Sequence, residues 1–215
     1  MSFLALILVP LLGGLCLFAF RQHSRAAQIC NFLVHALWIV FLYFAMGGVS
    51  QNSTGGVFPI VFSAPLFPML KSQFSLGADG LNMPLVALNV FLSTCLAFYA
   101  WKRDHLNSKY LALFNLLNAA SVGSLLAADI FSFYVFWEFM LIPLFFLILK
   151  WGSKNRNYAA LKFFAFTMAG SLFLLLAIIS LAVNPEVLSL SWHDLHSYLP
   201  SLGNTQLGIL LFAGF

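Results

Sequence analysis

The stretch from Ile130 to Leu149, IFSFYVFWEFMLIPLFFLIL, decides the fold of this chain. A helix of this length, rising 1.5 Å per residue, crosses the hydrocarbon core of a bilayer, which is roughly 30 Å thick. Lipid offers the backbone no hydrogen-bond partner, and the stretch lacks the alternating pattern of an outer-membrane strand. It is therefore predicted to be a transmembrane helix.

Similar apolar stretches recur along the 215 residues, which are 62% hydrophobic and 7% charged with a mean hydropathy of +0.96. A soluble domain carries about 25% charged residues, so a water-soluble fold is excluded. We predict an all-α, polytopic bundle of transmembrane helices, surrounded by the lipid bilayer and forming one membrane domain over residues 1–215. Its six complete spans are predicted at about 3–20, 29–49, 81–101, 110–128, 130–149 and 159–183, and a seventh begins at 206–215.

The basic residues predict the orientation of these spans. Nine of the ten follow the first, third or fifth span, and only Lys71 lies in another connection. By the positive-inside rule those three loops face the cytoplasm or its equivalent, and the N-terminus lies on the opposite side. Because the charges sit in separate short loops, the net charge of +4 does not indicate a nucleic-acid partner.

The connection over residues 50–80 contains Gly55, Gly56, Pro59, Pro65 and Pro68. These residues break helices, so a surface hairpin or lid is predicted there.

No cofactor or metal is expected in this chain. Its three cysteines show no C-x-x-C spacing, and no glycine-rich phosphate loop is present.

Glu138 is the residue most indicative of function. Along a straight helix it lies about 12 Å from Ile130 and about 18 Å from Lys150, deep in the hydrocarbon region. Placing a charged carboxylate there costs about 2.5–3.5 kcal/mol on insertion scales, and such groups usually face the bundle interior or water. Burial favours the neutral form of a carboxyl group, whereas a nearby cation favours its charged form. A proton relay needs both forms to be accessible. A proton-relay role is predicted, with a structural glutamate satisfied by a partner as the alternative.

Pro143 and two asparagines are predicted to line a channel. Pro143 has no N–H to donate to the carbonyl of Phe139, which leaves an acceptor beside Glu138 and a probable kink. Asn115 and Asn118 lie one turn apart on the fourth span. They either hydrogen-bond to neighbouring helices as packing contacts or take part in a hydrated relay.

Lys162 is the second candidate relay residue. It lies about one turn inside the sixth span, where a lysine can also extend its ammonium group to the lipid headgroups. Its depth differs from that of Glu138 by roughly 10 Å, so a direct ion pair is not expected.

The stretches LGADGLNMPL (Leu76 to Leu85), FYVFWEFMLIP (Phe133 to Pro143) and WGSKNRNYAALKFF (Trp151 to Phe164) are similar to the antiporter-like subunits of respiratory complex I. The ending Glu-x-x-x-Ile-Pro resembles the chain M type, which corresponds to mitochondrial chain 4.

The resemblance implies a proton-translocating subunit of NADH:quinone oxidoreductase, with no redox active site of its own. Its partners would be other membrane subunits of complex I, which together with the peripheral ones bind quinone and NADH. The resemblance also implies that Glu138 pairs with a lysine on the seventh helix of a fold with about fourteen helices in two inverted repeats. Since the sequence ends at Phe215, we expect the rest to come from a longer chain or from another polypeptide.

Other readings of the same residues stay open. The chain could instead be a subunit of a multisubunit cation/proton antiporter or a membrane-bound hydrogenase, or a truncated fragment that does not pump. The expected location is the bacterial cytoplasmic membrane, with the mitochondrial inner membrane as the alternative.

The alternation of basic loops predicts that Arg25, Lys102 and Lys154 lie on the cytoplasmic side, whereas Lys71 and His193 lie on the other. Single cysteines at these positions, introduced without the three native cysteines, should react with a membrane-impermeant thiol reagent from the predicted side only. Reaction of positions 25 and 71 from the same side would contradict this topology.

Overall fold

Six helices and one β-hairpin make up the fold. The computed structural model describes residues 2–20, 25–52, 60–67, 71–101, 107–185, 187–192, 194–195 and 208. The helices are α1 (Ser2–Phe18), α2 (Arg25–Asn52), α3 (Asn82–Trp101), α4 (Ser108–Leu126), α5 (Ile130–Trp151) and α6 (Arg156–Val183). Between α2 and α3, strands β1 (Ile60–Phe67) and β2 (Ser72–Gly77) pair in antiparallel fashion.

Each complete span predicted from the sequence coincides with one helix, but fewer helices qualify as membrane spans. Four are long and apolar enough to cross a bilayer: α2 over Arg25–Gly47, α3, α5 and α6. Helix α1 is apolar but has 17 residues, and α4 is not among the four. The chain is therefore a mostly helical membrane protein with four candidate spans in its described part, fewer than the six predicted. The predicted seventh stub, 206–215, lies outside the described residues except for Gly208.

The hairpin confirms the prediction for the connection at 50–80, and it adds a small sheet to the all-α class predicted from the sequence. A main-chain hydrogen bond from Ala128 to Ser75 fastens β2 to the segment between α4 and α5.

Helix α4 is the inner helix of the bundle. It contacts α1, α2, α3 and α5, and eleven of its 19 residues are buried. In contrast, only four of the 22 residues of α5 are buried, and this helix exposes large apolar side chains such as Phe146. The outer helices therefore present apolar surface suited to lipid, while α4 is surrounded by protein.

A proline determines how α1 meets α2. Pro10 lies inside α1 and has no N–H to donate to the carbonyl oxygen of Leu6. That oxygen instead accepts a hydrogen bond of 2.8 Å from the indole Nε1 of Trp38, a fully buried residue of α2. A side chain of α2 thus supplies the hydrogen-bond donor that is missing in α1. The same hydrogen bond fixes the register of the two helices.

The motif Leu76 to Leu85 links the hairpin, α3 and α4. The Asp79 carboxylate accepts hydrogen bonds from the backbone N–H groups of Leu81 and Asn82, and the Asn82 side chain accepts one from the Asp79 N–H. This reciprocal pairing caps the start of α3. The Asn82 amide group also donates to the carbonyl oxygens of Gly77 and Leu125, at the end of α4.

Asp129 joins α5 to the hairpin. It caps α5 by accepting hydrogen bonds from the backbone N–H groups of Phe131 and Ser132, and it also accepts from the Ser72 hydroxyl and the Gln73 N–H. Burial raises the pKa of this carboxyl group, and the four hydrogen bonds counteract part of that rise.

Lys71, the basic residue that departs from the positive-inside pattern, has a structural partner. Its ammonium group donates hydrogen bonds to the carbonyl oxygens of Asn184 (2.9 Å) and Val187 (2.7 Å), just beyond α6. Its backbone is left-handed, with φ 52°. Because the C-terminal end of a helix attracts cations, this lysine ties the hairpin to α6.

Gly14 is expected to be irreplaceable, in contrast to Gly47. A Cβ added at Gly14 would lie 2.9 Å from the backbone oxygen of Ala112 and 3.1 Å from Leu116 of α4, whereas a Cβ at Gly47 meets nothing within 4 Å. Overpacking of this kind costs about 1–3 kcal/mol. Gly14→Ala should lower the melting temperature in detergent, and Gly47→Ala should leave it unchanged or raise it, because alanine favours helix. Equal melting temperatures for the two variants would show that the α1–α4 contact is looser than described.

Candidate functional site

Glu138 lies at a cavity of about 640 Å³ between four helices. The capped start of α5 sets the rotation of this helix, which directs the half-buried Glu138 side chain to the cavity. Among the described lining residues, Glu138 is the only carboxylate. The apolar wall comes from α1, α4, α5 and α6 and includes Ile7, Ala119, Ala120, Phe139, Phe164 and Met168.

One oxygen of Glu138 has no partner among the described residues. Its Oε1 atom is buried and accepts no hydrogen bond. Tyr134, one turn earlier on α5, lines the same cavity, and its hydroxyl lies near the Glu138 carboxyl and the Ser171 hydroxyl on α6. Ser171 donates its own proton to the carbonyl oxygen of Met168. Polar groups of α5 and α6 therefore lie close together at the cavity, and the carboxyl keeps one free acceptor.

Sequence reasoning did not identify Tyr134 as part of the site. The sequence feature that could have identified Tyr134 is its spacing. It lies four residues before Glu138, which places the two side chains on the same helix face. Ser171 is a small, hydroxylated residue, a type that in membrane helices usually indicates helix packing.

Pro143 is buried on α5 and interrupts the hydrogen bonding of this helix. It does not line the cavity, but it leaves the carbonyl of Phe139 without its usual donor, and Phe139 is a lining residue. Its contribution to the site is therefore an unpaired backbone acceptor next to Glu138.

Lys162 lies apart from Glu138. Its side chain is exposed, and its ammonium group lies 5.6 Å from the ring centre of Tyr158 and 5.9 Å from that of Phe166, both on α6 itself. It does not line the cavity, as expected from the difference in depth. The role of Lys162 as a second relay residue stays a prediction.

Asn115 and Asn118 also lie apart from Glu138. Asn115 donates to the side chain of Asn31 on α2, and Asn118 pairs with Ser93 on α3. The cavity at Glu138 is instead lined by Ala119 and Ala120, from other positions around α4. The two asparagines thus contact α2 and α3, whereas Glu138 lies at the cavity between α1, α4, α5 and α6, and their role in lining a channel stays a prediction.

The Glu138 site contains groups that can bind a proton. A carboxyl group with a free acceptor oxygen, a phenol and a hydroxyl can hold and pass a proton, while the apolar wall penalises an uncompensated charge. Within the described ranges, no three His, Cys, Asp or Glu side chains come together in a way that would hold a metal ion.

Known proteins are similar to this chain in amino-acid sequence and in fold. Residues 127–215 match the transmembrane family described as NADH:quinone oxidoreductase/Mrp antiporter. The chain is 39% identical over 127 residues to NAD(P)H-quinone oxidoreductase chain 4 3 of Picosynechococcus, which covers 59% of this chain and 23% of that protein. It is 33% identical over 177 residues to F(420)H(2) dehydrogenase subunit M of Methanosarcina mazei, covering 82% of this chain and 35% of that protein.

A solved structure of respiratory complex I from Thermus thermophilus with bound NADH contains a similar fold. The TM-score is 0.75 at 25% sequence identity, over 100% of this chain and 42% of that chain. The chain thus spans less than half the length of the relatives that it matches. The resemblance inferred from the sequence is confirmed: over part of their length, the chain is similar to antiporter-like membrane subunits of complex I.

Proposed function

We propose that this chain is part of a membrane subunit of an NADH:quinone oxidoreductase and contributes to proton translocation coupled to electron transfer from NADH to quinone. The observation that carries the proposal is the Glu138 carboxyl, which has one unpaired oxygen at a cavity of about 640 Å³ in an apolar bundle. The similarity to chain 4 and subunit M proteins supports it.

Glu138 acts as a site where a proton is held between two steps. The carboxyl can hold a proton and release it when a cation approaches, because a nearby positive charge stabilises the carboxylate. The Tyr134 hydroxyl, which lies near the carboxyl and near Ser171 on α6, offers a second polar group to the proton at this cavity. The cavity gives the proton room to arrive or leave through water, because its volume exceeds that of several water molecules.

All six helices cross the membrane in this proposal. Helix α1, with 17 residues, is about 26 Å long and falls at the short end of the range for transmembrane helices. Helix α4 crosses despite its polar residues because the neighbouring helices cover them.

The electron-transfer chemistry belongs to other subunits, which bind NADH and quinone, and this chain contributes no redox cofactor. Its partners are further membrane subunits, and its location is the bacterial cytoplasmic membrane.

A second candidate function is a subunit of a multisubunit cation/proton antiporter, or of a membrane-bound hydrogenase. The matched family, whose description names both the oxidoreductase and the Mrp antiporter, favours keeping this candidate. A proton-binding carboxyl serves either function. The neighbouring genes distinguish the two functions. Oxidoreductase genes beside the gene for this chain would support the first function, and antiporter or hydrogenase genes would support the second.

We expect Glu138→Gln to slow redox-driven proton uptake by about tenfold or more in membrane vesicles containing the assembled complex, while subunit content by immunoblot stays normal. Glutamine keeps the volume and hydrogen bonding of glutamate but cannot carry a proton, and positioned proton-transfer groups contribute about 10²–10⁴ in rate. Asp79→Asn is the matched control. It removes a carboxylate at the end of a helix, and asparagine caps helices as well as aspartate does, so uptake should stay normal.

The position of Ile142 allows a rescue experiment. It lies one turn beyond Glu138 on α5 and lines the same cavity. If the carboxyl works through water, adding Ile142→Glu to Glu138→Gln should restore part of the proton uptake, because a hydrated relay tolerates a shift of about 5 Å. Normal uptake by the assembled Glu138→Gln complex would refute the assignment of proton transfer to this residue.

A further inference from the structure

A second group of polar side chains lies between α2, α3 and α4, apart from the Glu138 cavity. Three hydrogen bonds between helices organise it: Asn115 to Asn31 (2.8 Å), Ser93 to Asn118 (2.9 Å) and Asn89 to Ser121 (2.8 Å). We call this group the polar ladder. Its members are Asn31, His35, Asn89, Ser93, Asn115, Asn118 and Ser121.

The pairs follow one another along the helices. Asn118 pairs with Ser93, and Ser121, later on α4, pairs with Asn89, earlier on α3. Because residue numbers rise along α4 while they fall along α3, these two helices are antiparallel. Helix α2 is antiparallel to α3 in the same way, because Gln28 contacts Trp101 and Phe32 contacts Phe98. Helices α2 and α4 are therefore parallel.

In parallel helices, equal steps from a shared contact reach the same level. From the Asn31–Asn115 contact, one turn along α2 leads to His35 and one turn along α4 leads to Asn118. His35 thus lies level with Asn118, and the ladder extends across about two helical turns, roughly 10 Å.

Four buried atoms of the ladder have no hydrogen-bond partner among the described residues: His35 Nε2, Asn89 Oδ1, Asn115 Oδ1 and Asn118 Nδ2. His35 is 1% exposed, Asn115 0% and Asn118 5%. A buried polar atom without a partner carries its full desolvation penalty, and buried atoms of this kind are usually paired by protein or by ordered water.

The chemistry of these atoms defines the partner that they need. His35 Nδ1 lies 2.8 Å from the carbonyl oxygen of Asn31, which can only accept, so Nδ1 carries the proton and Nε2 of the neutral ring is an acceptor. Asn115 donates to both Asn31 and the carbonyl of Leu111, so its amide orientation is fixed and Oδ1 is also an acceptor. These two acceptors require a donor.

Ser93 adds a further unsatisfied group. Its hydroxyl has one proton but lies 2.7 Å from the carbonyl oxygen of Asn89 and 2.9 Å from Asn118 Oδ1. Whichever acceptor takes the proton, and whichever way the amide is turned, the Asn118 side chain keeps one unpaired atom.

We propose that the polar ladder is a water-binding site, in which ordered water molecules pair these four atoms and donate a hydrogen bond to His35 Nε2. Water both donates and accepts, as this mixed set requires. A metal cation would bind the three acceptors but not the donor Asn118 Nδ2, and the ladder contains no carboxylate to balance its charge in a low-dielectric interior. The site is independent of Glu138, so it stands whether or not Glu138 carries protons.

Nuclear magnetic resonance of the full chain, labelled with ¹⁵N-histidine in lipid nanodiscs, tests this proposal. We expect the His35 Nε2 resonance, assigned by its loss in His35→Phe, to have the shift of a hydrogen-bonded acceptor and to receive magnetisation from water protons. The shift of an unbonded Nε2 without transfer from water would overturn the proposal. So would a resonance that moves when sodium replaces choline in the buffer, since that identifies a cation site.

Two matched variants locate the water. Asn115→Leu removes one acceptor of the ladder and should weaken the transfer from water to His35. Asn155→Leu makes the same change at an exposed residue that forms no side-chain capping bond, and the transfer should equal that of the unsubstituted chain. If Asn115→Leu does not fold, the measurement on the unsubstituted chain still decides. Equal transfer in a folded Asn115→Leu variant would contradict the proposed position of the water.

Discussion

The requirement that every polar group inside the bundle find a partner there governs this structure. Lipid cannot hydrogen-bond to the backbone, so a carbonyl group that lacks a donor in its own helix must accept a hydrogen bond from a neighbouring helix. The hydrogen bond from Trp38 to the Leu6 carbonyl is the clearest example. Pro10 has no N–H to donate to this carbonyl, and the indole N–H of Trp38 on α2 donates instead. The positions of α1 and α2 against α4 follow from this pairing together with the close approach at Gly14.

Helix α4 separates two kinds of polar environment. On one side, Ala119 and Ala120 line the cavity that holds Glu138, and small side chains leave room there. On the other side, Asn115 and Asn118 hold α2 and α3 through hydrogen bonds. A glutamate therefore faces an open, apolar space, whereas the asparagines sit in a polar one and hydrogen-bond to α2 and α3. One helix thus serves a site that can change its protonation state and a site that holds its neighbours in place.

The sequence predicted the helices well because the apolar stretches have the length that a bilayer imposes. It also predicted the hairpin, because glycine and proline cannot continue α2. It overestimated the number of helices that qualify as membrane spans, since α4 is polar for its length. The sequence could not show which way Asn115 and Asn118 face, since their spacing fits either side of a helix. Nor could it reveal that Tyr134 lines the Glu138 cavity together with Phe164 and Met168, which depends on how α6 lies against α5.

The polar character of α4 has a consequence for how the chain is made. A helix with two asparagines at its centre partitions weakly into lipid, and its neighbours offer the partners that lipid does not. During synthesis α2 and α3 precede it, and they carry Asn31, Asn89 and Ser93, the groups that cover its polar face. Helix α4 should therefore leave the insertion machinery together with α3 rather than alone. The order of the helices in the gene then matches the order in which their polar faces become covered.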